Sequence, residues 1–303
     1  MAKNFLLEKA ILFFKSKKYR IPMLGAMGFY NNMPDEKYLR KLYKARTGKK
    51  LNLENPITFN EKLQWLKLYD RNPEYAKMVD KYEVRNYIAE KIGEEYLIPL
   101  LGVWNSFDEI DFDKLPNQFV LKCTHDSGGI VICKDKSQFN ITAARKKINR
   151  RLKRDYFWQN REWPYKNVKP RIIAEKYMID ESETELKDYK FMCFGGEPKC
   201  CFVCTERTIG QSSKIIIYDK EWKKMPVGRG FVYDNEIAKP KSYEKMLEIA
   251  KLLSRDMTFV RIDLYDINGK IYFGEITFFP ASGFSPFYPE EWDLKFGEWI
   301  KLN

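Results

Sequence analysis

Phe259-Val260-Arg261-Ile262-Asp263-Leu264-Tyr265-Asp266-Ile267-Asn268-Gly269-Lys270-Ile271-Tyr272-Phe273-Gly274-Glu275-Ile276-Thr277-Phe278-Phe279-Pro280 is the stretch that decides how this chain folds. Two alternating runs flank Asn268-Gly269, a dipeptide that marks a tight hairpin. Successive strand side chains point to opposite faces, so Val260, Ile262 and Leu264 share one face while Arg261 and Asp263 share the other. A three-residue loop, Ile267-Asn268-Gly269 with Gly269 left-handed, sets residue 261 opposite 275 and residue 263 opposite 273. Arg261, Asp263, Glu275 and Thr277 then lie on one face, whereas a two-residue Asn268-Gly269 turn puts Asp263 and Glu275 on opposite faces. Two neighbouring carboxylates on a sheet suit a hard cation such as magnesium, which takes one or two carboxylates together with substrate phosphates. The bland alternative is a hairpin face carrying ordinary surface charges.

Upstream of the hairpin, strand and helix patterns alternate. Phe119 to Cys123 reads as a strand, Thr124-His125-Asp126-Ser127-Gly128-Gly129 as a polar glycine loop, and Ile130 to Cys133 as the returning strand. Residues 142–154 form a basic helix, Arg171 to Met178 a strand, Tyr189 to Phe194 and Lys199 to Thr205 a hairpin, and Tyr243 to Arg255 an amphipathic helix. Helices mixed with antiparallel hairpins indicate an α+β fold rather than a doubly wound sheet. The first 75 residues read as largely helical, over 5–18, 35–46 and 58–66, the last opening on a Thr58/Glu61 capping box. A further helix from Lys81 to Ile92 leads to an edge or irregular strand near Pro99.

The net charge of +12 is uneven. Residues 1–50 hold 13 Lys and Arg against three acids, a net of +10, and the other 253 residues hold 41 against 39, a net of +2. A basic arm beside the apolar run Phe5 to Phe14 suits an anionic lipid surface or an acidic polymer, or is a charged helix docked on its own domain. A nearly neutral body argues against nucleic acid as the partner. The six cysteines, with no signal peptide expected, read as free thiols in a reducing cytoplasm. Cys200-Cys201-Phe202-Val203-Cys204 lacks the spacing of a zinc site in a chain with one histidine, so buried strand cysteines are expected. No run of 18 apolar residues is present to span a membrane.

Lys122 leaves its strand just before the glycine loop, and free backbone N–H groups beside a lysine suit a polyphosphate. The order is neither that of a Walker loop nor GxGxxG, and a plain hairpin turn is the competing reading. Thr58 to Lys62, Asp80-Lys81-Tyr82, Leu97-Ile98-Pro99, Lys122 to Gly129, Glu175-Lys176-Tyr177, Asp188-Tyr189-Lys190-Phe191 and the terminal hairpin occur in an order that spans nearly the whole chain. In that order they resemble the TupA-like ATP-grasp family of bacterial cell-surface polysaccharide gene clusters, named for teichuronopeptide synthesis.

The resemblance implies an ATP-grasp fold, two α+β subdomains clasping ATP, over residues 79–303. A mobile phosphate-loop subdomain lies over about 115–178, and residues 1–78 form a helical basic N-terminal segment. It implies ATP and Mg2+ as cofactors. Lys122 is then the lysine on the α- and β-phosphates, and Thr124, His125, Asp126, Ser127, Gly128 and Gly129 form the loop over the triphosphate. Glu175, Lys176, Tyr177 and Met178 are the hinge around adenine, with Asp180, Glu183 and Glu185 the candidates for the ribose. Lys190 and Arg261 are catalytic, standing beside the transferred phosphoryl group, and Asp263 and Glu275 are metal ligands. Thr277 stands where the superfamily often has asparagine.

The implied activity is a carboxylate–amine ligase working through an acyl phosphate. Its acceptor would be an acidic glycan or lipid-linked saccharide and its donor an amino acid or other amine, at the cytoplasmic membrane face. A glycosyltransferase or a sugar kinase is the alternative, although the only DxD-like motif, Asp111-Phe112-Asp113, reads as a surface turn. His125 is either a proton carrier or a hydrogen-bonding loop residue. Trp158, Trp163, Phe284 and Phe287 are either core or walls on which sugar rings could stack.

Overall fold

A computed structural model describes residues 12–179, 186–205, 214–229 and 232–302. Residues 5–11 of the expected first helix lie outside them, as do Asp180, Glu183 and Glu185. From residue 12 one helical turn stops at Ser16, whose extended backbone breaks the helix before α1 (Lys17–Ala26). The N-terminal segment continues through α2 (Asp35–Thr47) and α3 (Phe59–Tyr69), which pack Ile21, Tyr38, Leu39, Leu42, Tyr43 and Phe284 into a small core. The expected capping box opens α3: Thr58 Oγ1 accepts from Glu61 N, and Glu61 Oε2 accepts from Thr58 N at 3.1 Å. Two short helices, α4 (Tyr75–Val79) and α5 (Val84–Lys91), follow.

Two antiparallel sheets make up the rest. The first has the order β1-β4-β2-β3, from β1 (Leu100–Trp104), β2 (Phe119–Cys123), β3 (Ile130–Cys133) and β4 (Ile172–Lys176). Its apolar face, with Phe119, Leu121, Ile172 and Ala174, buries Ala144 and Ile148 of the basic helix α6 (Ile141–Leu152). A short helix, α7 (Phe157–Asn160), follows. The second sheet has the order β7-β6-β5-β8-β9, from β5 (Asp188–Phe194), β6 (Glu197–Thr205), β7 (Lys214–Asp219), β8 (Phe259–Ile267) and β9 (Lys270–Thr277). Tyr243, Met246, Ile249, Ala250 and Leu253 of α8 (Tyr243–Leu253) pack on it in the largest core, which α9 (Glu291–Trp299) closes with Phe296. All six cysteines are buried and free, in keeping with the strand reading. The α+β class is therefore as expected; β7 was not foreseen.

The deciding hairpin differs from expectation in a way that matters. Ile267 pairs with Lys270, so the connection is the two-residue turn Asn268-Gly269, with φ of 55° and 82°. Positive φ at both positions makes a primed turn that matches strand twist, which is why Asn-Gly wins over the three-residue loop. Without further change Asp263 would oppose Gly274. A β-bulge between Asp263 and Leu264 instead sets Asp263 opposite Glu275 and Arg261 opposite Thr277, correcting the expected 261–275 and 263–273 pairs. The extra residue is Gly274, where an added Cβ would meet Asp263 O at 3.0 Å. The carboxylates thus share a face through a bulge, not through a longer loop.

Candidate active site

The two sheets and α4–α5 enclose a cavity of about 220 Å³. The first sheet lends it Lys122, Ile130 and Glu175, and the second lends it Asp188, Lys190, Asp263, Tyr265 and Glu275. Lys190 lies directly opposite Asp263 in the β5–β8 ladder, and Asp188 opposite Tyr265, so one sheet face gathers these side chains with Arg261 and Thr277.

That face is a charge lattice. Arg261 Nε lies 2.6 Å from Asp263 Oδ1, and its Nη2 donates to Asp263 Oδ2 and to Glu275 Oε1, both at 2.7 Å, and to Thr277 Oγ1 at 3.0 Å. Lys190 pairs with Asp263 and reaches Asp188 Oδ2 at 2.6 Å. Asp263 is buried, whereas the Glu275 side chain is 43% exposed and, among the described residues, its Oε2 accepts no hydrogen bond. Burial pushes the Glu275 carboxyl up, but the charges of Arg261, Lys190 and Lys81 outweigh it and hold the group at about 2. Burial also opposes the charge on Arg261, and Asp263 and Glu275 more than restore it. An ionised carboxylate with an open oxygen, beside a second carboxylate in register and a hydroxyl, offers the hard oxygen donors that magnesium takes alongside phosphates.

Across the cavity, Lys122 Nζ lies 2.5 Å from Glu175 Oε2, and Arg85 reaches Glu175 Oε1 at 3.2 Å. Of the four residues expected around adenine, Glu175 alone lines the cavity. The Lys176 N–H is committed to Pro99 O at 3.0 Å, and Tyr177 faces Lys134, whose Nζ lies 5.9 Å from the ring centroid.

The glycine loop is anchored rather than open. Thr124, His125 and Asp126 are buried, and Ser127 is the loop residue that lines the cavity. Asp126 meets Arg151 at 3.2 Å, and His125 Nε2 lies 3.2 and 3.1 Å from the carbonyl oxygens of Arg151 and Arg154, so that nitrogen carries the proton and donates. Burial lowers the His125 pKa, and its Nδ1 has no hydrogen-bond partner among the described residues. Gly128 sits at φ 93°, and a Cβ on Gly129 would meet Cys123 Cβ at 2.9 Å, so both positions need glycine.

Sequence reasoning missed three charged residues at this cavity. Lys81 donates to Asp126 O at 2.8 Å, and burial lowers its pKa. Arg85 and Asp188 line the same cavity. Lys81 and Asp188 lie in stretches that the sequence order singled out, but that their side chains meet Arg85 at one cavity follows only from the packing of the two sheets and α5. Asp111-Phe112-Asp113 is an exposed single turn, in which Asp111 caps Asp113 N and pairs with Lys114, away from the cavity. Among Trp158, Trp163, Phe284 and Phe287 none lines the cavity; Phe284 and Phe287 are core, and Trp163 Nε1 donates to Asp70 O.

A model of the family described as TupA-like ATPgrasp matches residues 61–301. No curated protein matches the chain. Among solved structures it is similar to D-alanine-D-alanine ligase from Helicobacter pylori, at 13% identity and TM-score 0.40 over 80% of this chain and 69% of that one. It is similar also to D-alanine-D-alanine ligase from Bacillus anthracis complexed with ATP, at 16% identity and TM-score 0.39, over 66% of this chain and 54% of that one. A RimK-domain ATP-grasp protein from Sphaerobacter thermophilus gives 9% identity and TM-score 0.41 over 76% of this chain and 70% of that one.

Proposed function

The chain belongs to the TupA-like ATP-grasp family, and from that premise we propose that it is an ATP- and magnesium-dependent ligase joining a carboxylate to an amine through an acyl phosphate. The observation that carries this reading is the single sheet face on which Lys190, Arg261, Asp263 and Glu275 meet, opposite Lys122 and beside Lys81. An unactivated carboxylate would have to expel oxide, so it must first gain a better leaving group. In this reading Lys81, Lys122, Lys190 and Arg261 neutralise the charge spread over a transferring phosphoryl group, where positioning and electrostatics supply most of the rate. Asp263, Glu275 and Thr277 would hold magnesium, which when bound draws charge from the phosphate oxygens. The γ-phosphoryl group moves to a carboxylate oxygen, giving ADP and the acyl phosphate. The amine then attacks the acyl carbon, phosphate leaves with the electrons of the C–O bond, and the extra amine proton passes to water. No protein nucleophile enters this scheme.

Asp188 lines the cavity, and in this reading it takes the ribose in place of Asp180, Glu183 or Glu185, which lie outside the described residues. Family membership supports a uronic acid or peptide carboxylate of a surface polysaccharide as acceptor, and an amino acid or amino sugar as donor. Incubation with ATP, magnesium, uronic-acid glycans and pooled amino acids, followed by mass spectrometry, tests the assignment. An amide product with ADP is expected. ADP with a phosphorylated sugar would make the protein a kinase, and glycan extension without ADP a glycosyltransferase.

Lys122→Ala gives a simpler check. Arg85 remains on Glu175, so the fold should hold, while the loss of one charge-assisted contact of about 1.5–3 kcal/mol should weaken ATP binding by roughly tenfold to a hundredfold. An unchanged dissociation constant by calorimetry would contradict the assignment of Lys122 to the phosphates.

A further inference from the structure

Exposed apolar side chains crowd onto one short segment. Among the described residues 15 large apolar side chains are exposed, and five of them, Leu12, Phe14, Met23, Met27 and Phe29, fall within residues 12–29. Phe14, Met27 and Phe29 are 73%, 60% and 69% exposed, so these are whole side chains in water rather than grazed edges.

The docking of α1 explains why they stay outside. Its buried residues are Ile21, Pro22 and Gly25, and a Cβ on Gly25 would lie 1.9 Å from Tyr38 Oη, so the helix lies hard against α2 by that face. At 100° per residue, Met23 and Met27 then point away from the body, with Arg20 next to Met27 on the same side. Arg20 donates to Phe14 O at 3.1 Å, tying the preceding turn to the same helix. Lys15, Lys17 and Lys18 are exposed alongside, and no acidic residue occurs between Glu8 and Asp35.

We propose that residues 12–29 form a surface that seats the protein on an anionic lipid membrane. Phe14, Met23, Met27 and Phe29 enter the headgroup boundary, and Lys15, Lys17, Lys18 and Arg20 meet the lipid phosphates. Clustered apolar side chains interleaved with cations and free of acids are what such an interface selects. A polyanion alone would account for the cations but leave the phenylalanines and methionines in water. A two-fold contact between copies would bring the same unbalanced cations face to face.

The test is sedimentation of the full chain with vesicles of phosphatidylcholine alone or mixed with phosphatidylglycerol. Binding to the mixed vesicles alone, weakening as salt rises, is expected. The double variant Phe14→Glu/Phe29→Glu should lose it by about tenfold or more, and Lys17→Glu/Lys18→Glu should lose it together with its salt dependence. Both pairs are on the surface, so an unchanged melting temperature excludes misfolding as the cause. Equal binding to neutral vesicles, no binding to either kind, or unaltered binding by either variant would each overturn the proposal. So would a wild-type dimer that the Phe14→Glu/Phe29→Glu variant dissolves, for the surface would then belong to a second copy.

Discussion

Glu275→Gln is expected to abolish ADP production, by about a hundredfold to a thousandfold or more, while the ligand-free protein melts near the wild-type temperature. The amide oxygen of glutamine can still accept from Arg261 Nη2 and Thr277 Oγ1, as Glu275 Oε1 does at 2.7 and 3.0 Å. What disappears is the charge. With its native pKa held at about 2, below the ordinary carboxylate range, Glu275 contributes stability at neutral pH, and the contribution fades as pH falls through that range towards about 2. The side chain is 43% exposed, so solvent screens the contribution and its loss should be small. Binding should respond differently. A ligand at a hundred times its dissociation constant stabilises a protein by about 2.7 kcal/mol, and the variant should lose that increment for magnesium-ATP. Thermal melts with and without magnesium-ATP, paired with an ADP assay, separate the possibilities: a variant that keeps both would place Glu275 among ordinary surface charges.

The same hairpin shows where the sequence speaks and where it is silent. Alternation and Asn268-Gly269 are local signals, and they located both strands and the turn. The capping box at Thr58 was legible for the same reason, because both partners lie within four residues. The bulge was not, since its condition is a tertiary one: a glycine at 274 allows the close approach of Asp263 O. The face was right although the register argument for it was wrong. Lys81, Arg85 and Asp188 were overlooked as cavity residues because each comes from a different element, and their chemistry exists only once the two sheets close around α5. A motif at Glu175 likewise could not reveal that Pro99 O would occupy the Lys176 N–H, since that contact is made across the sheet.

A polar cluster deep in the protein was equally invisible, and it carries the largest stability effect we expect. Lys67 is fully buried on α3, and its ammonium donates to Gln64 Oε1 at 3.0 Å, Asn160 O at 3.0 Å and Ser282 O at 2.9 Å. Glu162, also buried, accepts from Ser282 Oγ at 2.5 Å. Burial pulls the Lys67 pKa down to about 7 and pushes that of Glu162 up, and each charge partly restrains the shift of the other. Between pH 7 and the ordinary lysine range the unfolded chain therefore holds a proton that the folded chain has released, so the Lys67 contribution to stability rises with pH across that window. Both side chains grip the segment that follows β9, where Ala281 and Ser282 are held left-handed at φ of 49° and 54°, a conformation that non-glycine residues keep only when their surroundings impose it. Lys67→Met strands Glu162 without its cation and takes the donor from Gln64 Oε1 and Asn160 O, while Ser282 O keeps Gln64 Nε2 at 3.1 Å; the change should cost about 3–5 kcal/mol and lower the melting temperature by roughly 6–10 °C. Glu162→Gln should cost less, because the Lys67 ammonium keeps its three neutral acceptors and can release its proton. If the two groups interact as a pair, Lys67→Met/Glu162→Gln should melt higher than the sum of the single losses predicts, by a coupling of about 1 kcal/mol or more. Strict additivity of the two losses, or a Lys67→Met protein that melts with the wild type, would show that the cluster is held by packing alone.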